Sequence, residues 1–266
     1  MNNIRYTENK MLRKLLFSFA LLSVCSFSAT VNASANETVV LKEVPFAYKG
    51  MTGYVDRASA QRGFQIYNQV CSNCHSMKLV AYRSLADIGF KEDEIKSIAA
   101  SRQVEDIDDN TGQKIQRNGK PFDTFIPPFP NETAARAANG GAYPPDLSLI
   151  VKARKGGGDY VYSLITGYGD APAEATHVEN KYYNHFFPGH WISMSPPLSD
   201  GIVTYQDGTK ASIDQMARDV VTFLQWAAEP EMETRKQMGL KVIIFLSILT
   251  TLLYIIKRRI WKHVKH

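Results

Sequence analysis

Apolar residues fall into two kinds of run along this chain: nearly unbroken stretches near its two ends, and periodic ones between them. The first unbroken stretch runs from Leu15 to about Phe27, after Lys10, Arg13 and Lys14 and before the small residues Ala33 and Ala35. A basic start, a short apolar run and small residues in that order predict a secretory signal peptide cleaved after Ala35. A retained N-terminal anchor is the alternative, and the apolar run is short for one. Val24 is bulky where lipoprotein processing wants a small residue, so lipidation at Cys25 is set aside. The second stretch, Val242–Ile256, carries no charge. Extended back to Met238, with Lys241 snorkelling towards the headgroups, it approaches the roughly 20 residues that cross a bilayer. A buried core helix is the alternative, but Lys257-Arg258-Arg259 follows directly, and such clusters stay on the cytoplasmic side. The two ends agree on one topology, an exported body hung from a C-terminal helix.

Between them the pattern is periodic. Ala58–Val70 reads as an amphipathic helix, with Phe64 and Tyr67 at the i, i+3 spacing of one face. Further helices are expected from Asp159 to about Ile165 and from Ile213 to Trp226. Residues 36–57 read as an extended arm ending near Gly53. Thr111–Pro130, rich in Gly, Pro and polar residues, is expected to be irregular. The expected layout is a signal peptide (1–35), an exported domain (36–232), a membrane helix (233–257) and a basic tail (258–266), in a mainly α chain.

Charge changes this picture little. The net charge of +5 comes from the two ends, and acids slightly outnumber bases in the body, so no nucleic-acid partner is implied. Glu92, Asp93, Glu94, Glu105, Asp106, Asp108 and Asp109 crowd one stretch against Lys96 and Arg102. Such a run is ordinarily a solvated face; the functional alternative is a docking surface for a basic protein. Asn-Glu-Thr at 36 and 131 matches the glycosylation pattern but reads as chance.

The chemistry sits at residues 71–75, Cys-Ser-Asn-Cys-His. This is the attachment pattern of a c-type haem, in which both thiols add to the vinyl groups and the histidine ligates the iron. A two-residue gap places both sulfurs along one edge of the macrocycle, with the next residue under the metal. A structural zinc site needs a further Cys or His pair, and no other cysteine remains once Cys25 is removed. A thioredoxin-like pair belongs between a strand and a helix, which this segment lacks. One covalent haem c is therefore expected, with Cys71 and Cys74 holding it and His75 as an iron ligand.

For the other axial position the candidates are Met194, Met216, His177, His185 and His190. Met194 lies in Phe187-Pro-Gly-His-Trp-Ile-Ser-Met-Ser-Pro-Pro-Leu198, an irregular stretch stiffened by prolines, which suits a thioether held over a haem face. Met216 falls in a helix and reads as core filler. His185 and His190 stay in competition with Met194.

The resemblance is then specific. Val80-Ala-Tyr-Arg-Ser-Leu85, Ala134-Ala-Arg-Ala-Ala-Asn139, Pro144-Pro-Asp-Leu-Ser148, Lys152-Ala-Arg-Lys-Gly-Gly157, Asp159-Tyr-Val-Tyr-Ser-Leu164, Phe187-Pro-Gly189, Met194-Ser-Pro-Pro197, Asp219–Pro230 and Arg235–Lys241 follow one another as in the cytochrome c1 family, the haem subunits of the cytochrome bc1 complex. The resemblance runs from about residue 45 to the end of the membrane helix. It implies a class I cytochrome c-like haem domain with irregular insertions, plus one C-terminal transmembrane helix. It implies Met194 as the axial methionine, Arg154 on a haem propionate, and Tyr160 and Asn139 near the haem. It also puts Pro144 and Pro145 in the pocket, where a proline carbonyl can accept the His75 Nδ1 proton. The partners it implies are cytochrome b, a Rieske iron–sulfur protein as electron donor and a soluble cytochrome c as acceptor, in a dimeric complex of the bacterial inner membrane with the haem domain in the periplasm. No bond-making chemistry falls to this subunit. Two rivals are an anchored cytochrome c that feeds a terminal oxidase, and a haem peroxidase with an open distal face.

Overall fold

The computed structural model describes residues 39–262; the expected signal peptide, with Cys25, lies outside them. Helices dominate the described residues, and strands form only two small antiparallel pairs, in keeping with the mainly α expectation.

Helix α1 (Arg57–Gln69) begins where the Asp56 side chain accepts the Ser59 N–H, satisfying one of the free donors of the first turn. Its apolar positions Ala60, Phe64, Ile66 and Tyr67 are buried. Against them packs α5 (Ile213–Ala228), which buries Val220, Val221, Phe223, Leu224 and Trp226. The two helices touch backbone to side chain: a Cβ at Gly63 would lie 2.1 Å from the Asp219 carbonyl oxygen and 2.7 Å from the Phe223 Cβ. Only glycine allows that approach.

Beside this contact Asp219 is wholly buried and fully answered. It accepts from Ser59 Oγ (2.7 Å), from Arg62 Nε (2.9 Å) and Nη2 (3.0 Å), and from Gln215 Nε2 (3.1 Å). Phe64, Tyr67, Phe125 and Phe223 pack ring on ring at 5.7–5.8 Å around the crossing. The crossing thus fixes the direction in which α1 delivers the residues after Gln69.

The insertions are more ordered than their composition suggests. The acidic run contains α2 (Glu92–Ala100) and strand β1 (Gln103–Ile107). β1 pairs with β2 (Lys114–Asn118), Gln103 opposite Asn118 and Ile107 opposite Lys114. This corrects the expectation of an irregular Thr111–Pro130. Asp108 closes the turn by accepting from the N–H groups of Asn110 and Thr111, and Arg117 bridges Asp106 and Asp123. The acids are largely absorbed by such jobs. Glu94 accepts the Lys91 N–H, Glu92 pairs with Lys96 at 2.6 Å, and Glu92, Asp93 and Glu94 sit in the first turn of α2, where the helix dipole favours them.

Short α3 (Glu132–Ala138) is capped by Asn131, whose side chain accepts the Ala134 N–H; this explains an asparagine there without a glycan. Helix α4 (Gly157–Ile165) and the pair β3 (Tyr182–Tyr183) and β4 (Trp191–Ile192) complete the domain. Residues 39–56 of the N-terminal arm have no regular structure, yet Val44, Phe46, Tyr48 and Val55 are core residues.

Helix α6 (Met232–Trp261) is long and apolar enough to cross a membrane, and its apolar window is unburied by the domain. Its first turn still belongs to the domain, for Met232 is buried and Glu229, just before it, pairs with Lys152 and Arg235.

Candidate haem-binding site

Helix α1 runs straight into the motif. After Val70 the chain makes a 3-10 turn, Cys71–Asn73, and the N–H groups of Cys74 and His75 both donate to the Cys71 carbonyl (3.1 and 2.8 Å). Ser72 Oγ and Asn73 Nδ2 donate back to the Asn68 and Gln69 carbonyls, occupying acceptors at the helix end. The turn therefore holds Cys71, Cys74 and His75 together on one short, hydrogen-bonded segment.

Both thiols are free cysteines, Cys71 half-buried and Cys74 exposed. Burial, with the Cys74 sulfur beside it, pushes the Cys71 thiol up to about 12. Among the described residues, no group of three or more His, Cys, Asp or Glu side chains is placed to hold a metal ion.

His75 is oriented by a distant segment. Its Nδ1 lies 2.8 Å from the Pro145 carbonyl oxygen. The carbonyl can only accept, so Nδ1 carries the proton and Nε2 is the nitrogen left for a metal. Burial lowers the His75 pKa, against the opposing pull of the Pro145 carbonyl and Asp146, which favours the neutral ring that a metal requires. The Pro145 segment is itself clipped to the chain that follows His75. Asp146 accepts from Ser76 Oγ (2.8 Å), Lys78 N–H (2.9 Å) and Ser148 N–H (2.8 Å), while Ser148 Oγ accepts from Leu79 N–H. Pro144 and Cys74 line one small cleft with Pro127, Pro128 and Phe129, and Lys78, Asn131 and Glu132 stand around it. Two free thiols, an imidazole with one nitrogen committed and a proline-rich wall fit a covalently bound haem.

Met194 stands on a separate loop, half-buried, two residues beyond β4. Its carbonyl accepts from Tyr168 Oη at 3.0 Å, and the loop is built around Asn184. Wholly buried, Asn184 donates to the Leu164 carbonyl (2.7 Å) and accepts from the N–H groups of Phe186 (2.9 Å) and Phe187 (3.2 Å). The other candidates have neighbours of their own. His190 Nδ1 lies 3.1 Å from the Asn184 carbonyl and its ring stacks on Tyr183. His185 meets Tyr183 edge-on, His177 meets Trp191, and Met216 is fully buried core.

Of the other residues expected in the pocket, Arg154 is exposed and, among the described residues, donates only to the neighbouring Ala153 carbonyl. Lys152 takes Glu229, so among the described residues Arg154 keeps its guanidinium clear of any carboxylate. Tyr160, on α4, is half-buried, and burial raises its phenol while the Arg154 charge pulls it down, placing the two in one neighbourhood. Asn139 ends α3 and donates to the Ala135 carbonyl at 2.7 Å, so its amide serves its own helix. Asp146, Tyr168 and Asn184 are the supporting residues that sequence reasoning did not single out. Each acts through a partner far along the chain, and no local spacing marks them.

The description Cytochrome C1 family matches residues 46–264. A cytochrome c1 from Rhodospirillum rubrum is 49% identical over 251 residues, covering 88% of this chain and 92% of that one. A mitochondrial cytochrome c1 heme protein from Solanum tuberosum is 51% identical over 223 residues, 83% of this chain and 85% of its own. A mitochondrial cytochrome b-c1 complex catalytic subunit from Candida albicans is 48% identical over 220 residues, 82% of this chain and 76% of its own.

Proposed function

Because this chain belongs to the cytochrome c1 family, we propose that it is the membrane-anchored mono-haem subunit of a cytochrome bc1 complex, taking one electron from a Rieske iron–sulfur protein and passing it to a soluble cytochrome c. The observation that carries this reading is the single turn presenting Cys71, Cys74 and His75, with the His75 ring locked by the Pro145 carbonyl.

Each residue has a separate task. Cys71 and Cys74 hold one haem c along one edge by thioether bonds. His75 would supply Nε2 to the iron, and Met194 would supply its thioether. When bound, the haem supplies reversible one-electron chemistry at its iron, tuned by a histidine–methionine pair towards high potential. Arg154, free of other carboxylates, takes a haem propionate through its planar fork, with Tyr160 beside it. Pro145 lends the pocket its carbonyl, and Asn139, at the end of α3, would lie near the haem. Helix α6 spans the bacterial inner membrane, with the haem domain in the periplasm after loss of residues 1–35 and the basic tail in the cytoplasm. Cytochrome b is its neighbour in a dimeric complex.

Purification in mild detergent through a tag on the intact chain tests the assignment. Co-purification of a cytochrome b and a Rieske protein is the expected result. Recovery of a terminal oxidase with neither of them would overturn it.

A further inference from the structure

Beside the start of α6 lies the loop Lys49–Tyr54. It is internally braced: Lys49 N–H donates to the Phe46 carbonyl (3.0 Å), Tyr54 N–H to the Ala47 carbonyl (3.0 Å) and Gly53 N–H to the Gly50 carbonyl (3.4 Å). A Cβ at Gly53 would lie 2.2 Å from the Lys49 carbonyl oxygen, so the loop closes more tightly than any other residue allows. It is also bolted to α6. Lys236 Nζ donates to the carbonyls of Tyr48 (2.5 Å) and Gly53 (3.4 Å), and Val55 N–H donates to Glu233 Oε1 (2.7 Å), which pairs in turn with Arg57.

This braced loop turns two large side chains outwards. Met51 is 72% exposed and Tyr54 58%, while Val44, Phe46, Tyr48 and Val55 around them are buried. Order held in place for a loop that presents methionine and tyrosine outwards calls for something that receives them. The position along α6 says what. From Met238 to Ile256 the helix rises about 28 Å, close to the roughly 30 Å of a hydrocarbon core. Lys236 then stands about 3 Å and Glu233 about 8 Å outside that core. The headgroup layer on one side is about 5–8 Å deep, so the bonds to Lys236 and Glu233 hold the loop at its level. Tyrosine, apolar in body and polar at its tip, suits that layer, and methionine suits its apolar boundary.

We propose that the Lys49–Tyr54 loop is a second membrane contact of this chain, seated in the lipid headgroup layer with Met51 and Tyr54 as its lipid-facing residues. Together with α6 it sets the height and tilt of the domain over the bilayer at two points, where a single helix would leave the domain to rock. The inference rests on the reading of α6 as a membrane-spanning helix.

The test uses the intact complex in phosphatidylcholine–phosphatidylglycerol nanodiscs, with nitroxide labels on Met51→Cys and on Tyr54→Cys. Ile248→Cys, within α6, serves as the deep reference and Asn110→Cys, in the polar β1–β2 turn, as the aqueous one. Power saturation with oxygen and a water-soluble nickel chelate reads depth. The expected result is an oxygen-to-nickel accessibility ratio at 51 and 54 several-fold above that at 110 and below that at 248. A ratio at 51 and 54 equal to that at 110 overturns the proposal. So does protection from both reagents, which would mean that a protein subunit covers the loop. An aqueous ratio at 248 overturns the reading of α6 itself, and the proposal falls with it.

Discussion

The carbonyl oxygen of Pro145 lies 2.8 Å from Nδ1 of His75, so a residue 70 positions further along the chain decides which ring nitrogen stays free. The haem motif is local in sequence, yet the tautomer it needs comes from another segment, which Asp146 and Ser148 tie to the chain after His75.

Asp146→Ala deletes the acceptor for Ser76 Oγ and for the Lys78 and Ser148 N–H groups. Loss of bonds to a charged acceptor is expected to cost about 2–3 kcal/mol. Thermal unfolding of the holoprotein measures the loss. Electron paramagnetic resonance should show a broadened low-spin signal as the His75 ring gains freedom, a change that destabilisation elsewhere does not produce.

Asp219→Ala leaves the Arg62 guanidinium facing a position between α1 and α5 with its buried partner gone. Arg62 keeps Asp207 as a partner, so the cost is expected to be about 2–3 kcal/mol, that of hydrogen bonds to a charged acceptor. The expected outcome is a denaturation midpoint lowered accordingly and less haem attached per chain, since α1 leads directly into the Cys71–His75 turn.

Asn184→Ala removes a wholly buried amide that ties the Met194 loop to the Leu164 carbonyl. A cost of about 2–3 kcal/mol is expected from the groups left unpaired. With the loop loosened, the ferrous protein should bind carbon monoxide where the parent does not, as followed by its visible spectrum.

Glu233 accepts the Val55 N–H and pairs with Arg57, tying the start of α6 to the chain before α1. Glu233→Gln keeps the shape and removes the charge, and is expected to cost about 1 kcal/mol at neutral pH, read as a lowered midpoint of thermal unfolding.

How much of this was legible in the sequence depends on how local the cause was. Helices α1, α4 and α5 follow from apolar spacing, and α6 from an uncharged run, because those signals lie within one element. The β1–β2 hairpin was missed because Lys114–Asn118 carries one apolar residue, Ile115, and its order comes from Arg117 and the Asp108 turn. The Cys71–His75 motif is contiguous, so its chemistry is readable directly. Asn184 looks like any surface asparagine until the fold buries it, and Asp146 looks like one more acid. What supports a site is written in contacts between distant segments, and a single sequence does not display those.

The central claim is a six-coordinate iron held by His75 and Met194, and the near-infrared spectrum of the oxidised holoprotein tests it most directly. A methionine–iron charge-transfer band that disappears in Met194→Leu, with low-spin haem in the parent, is the expected result. A parent protein that lacks the band, or a Met194→Leu variant that keeps it, would contradict the claim.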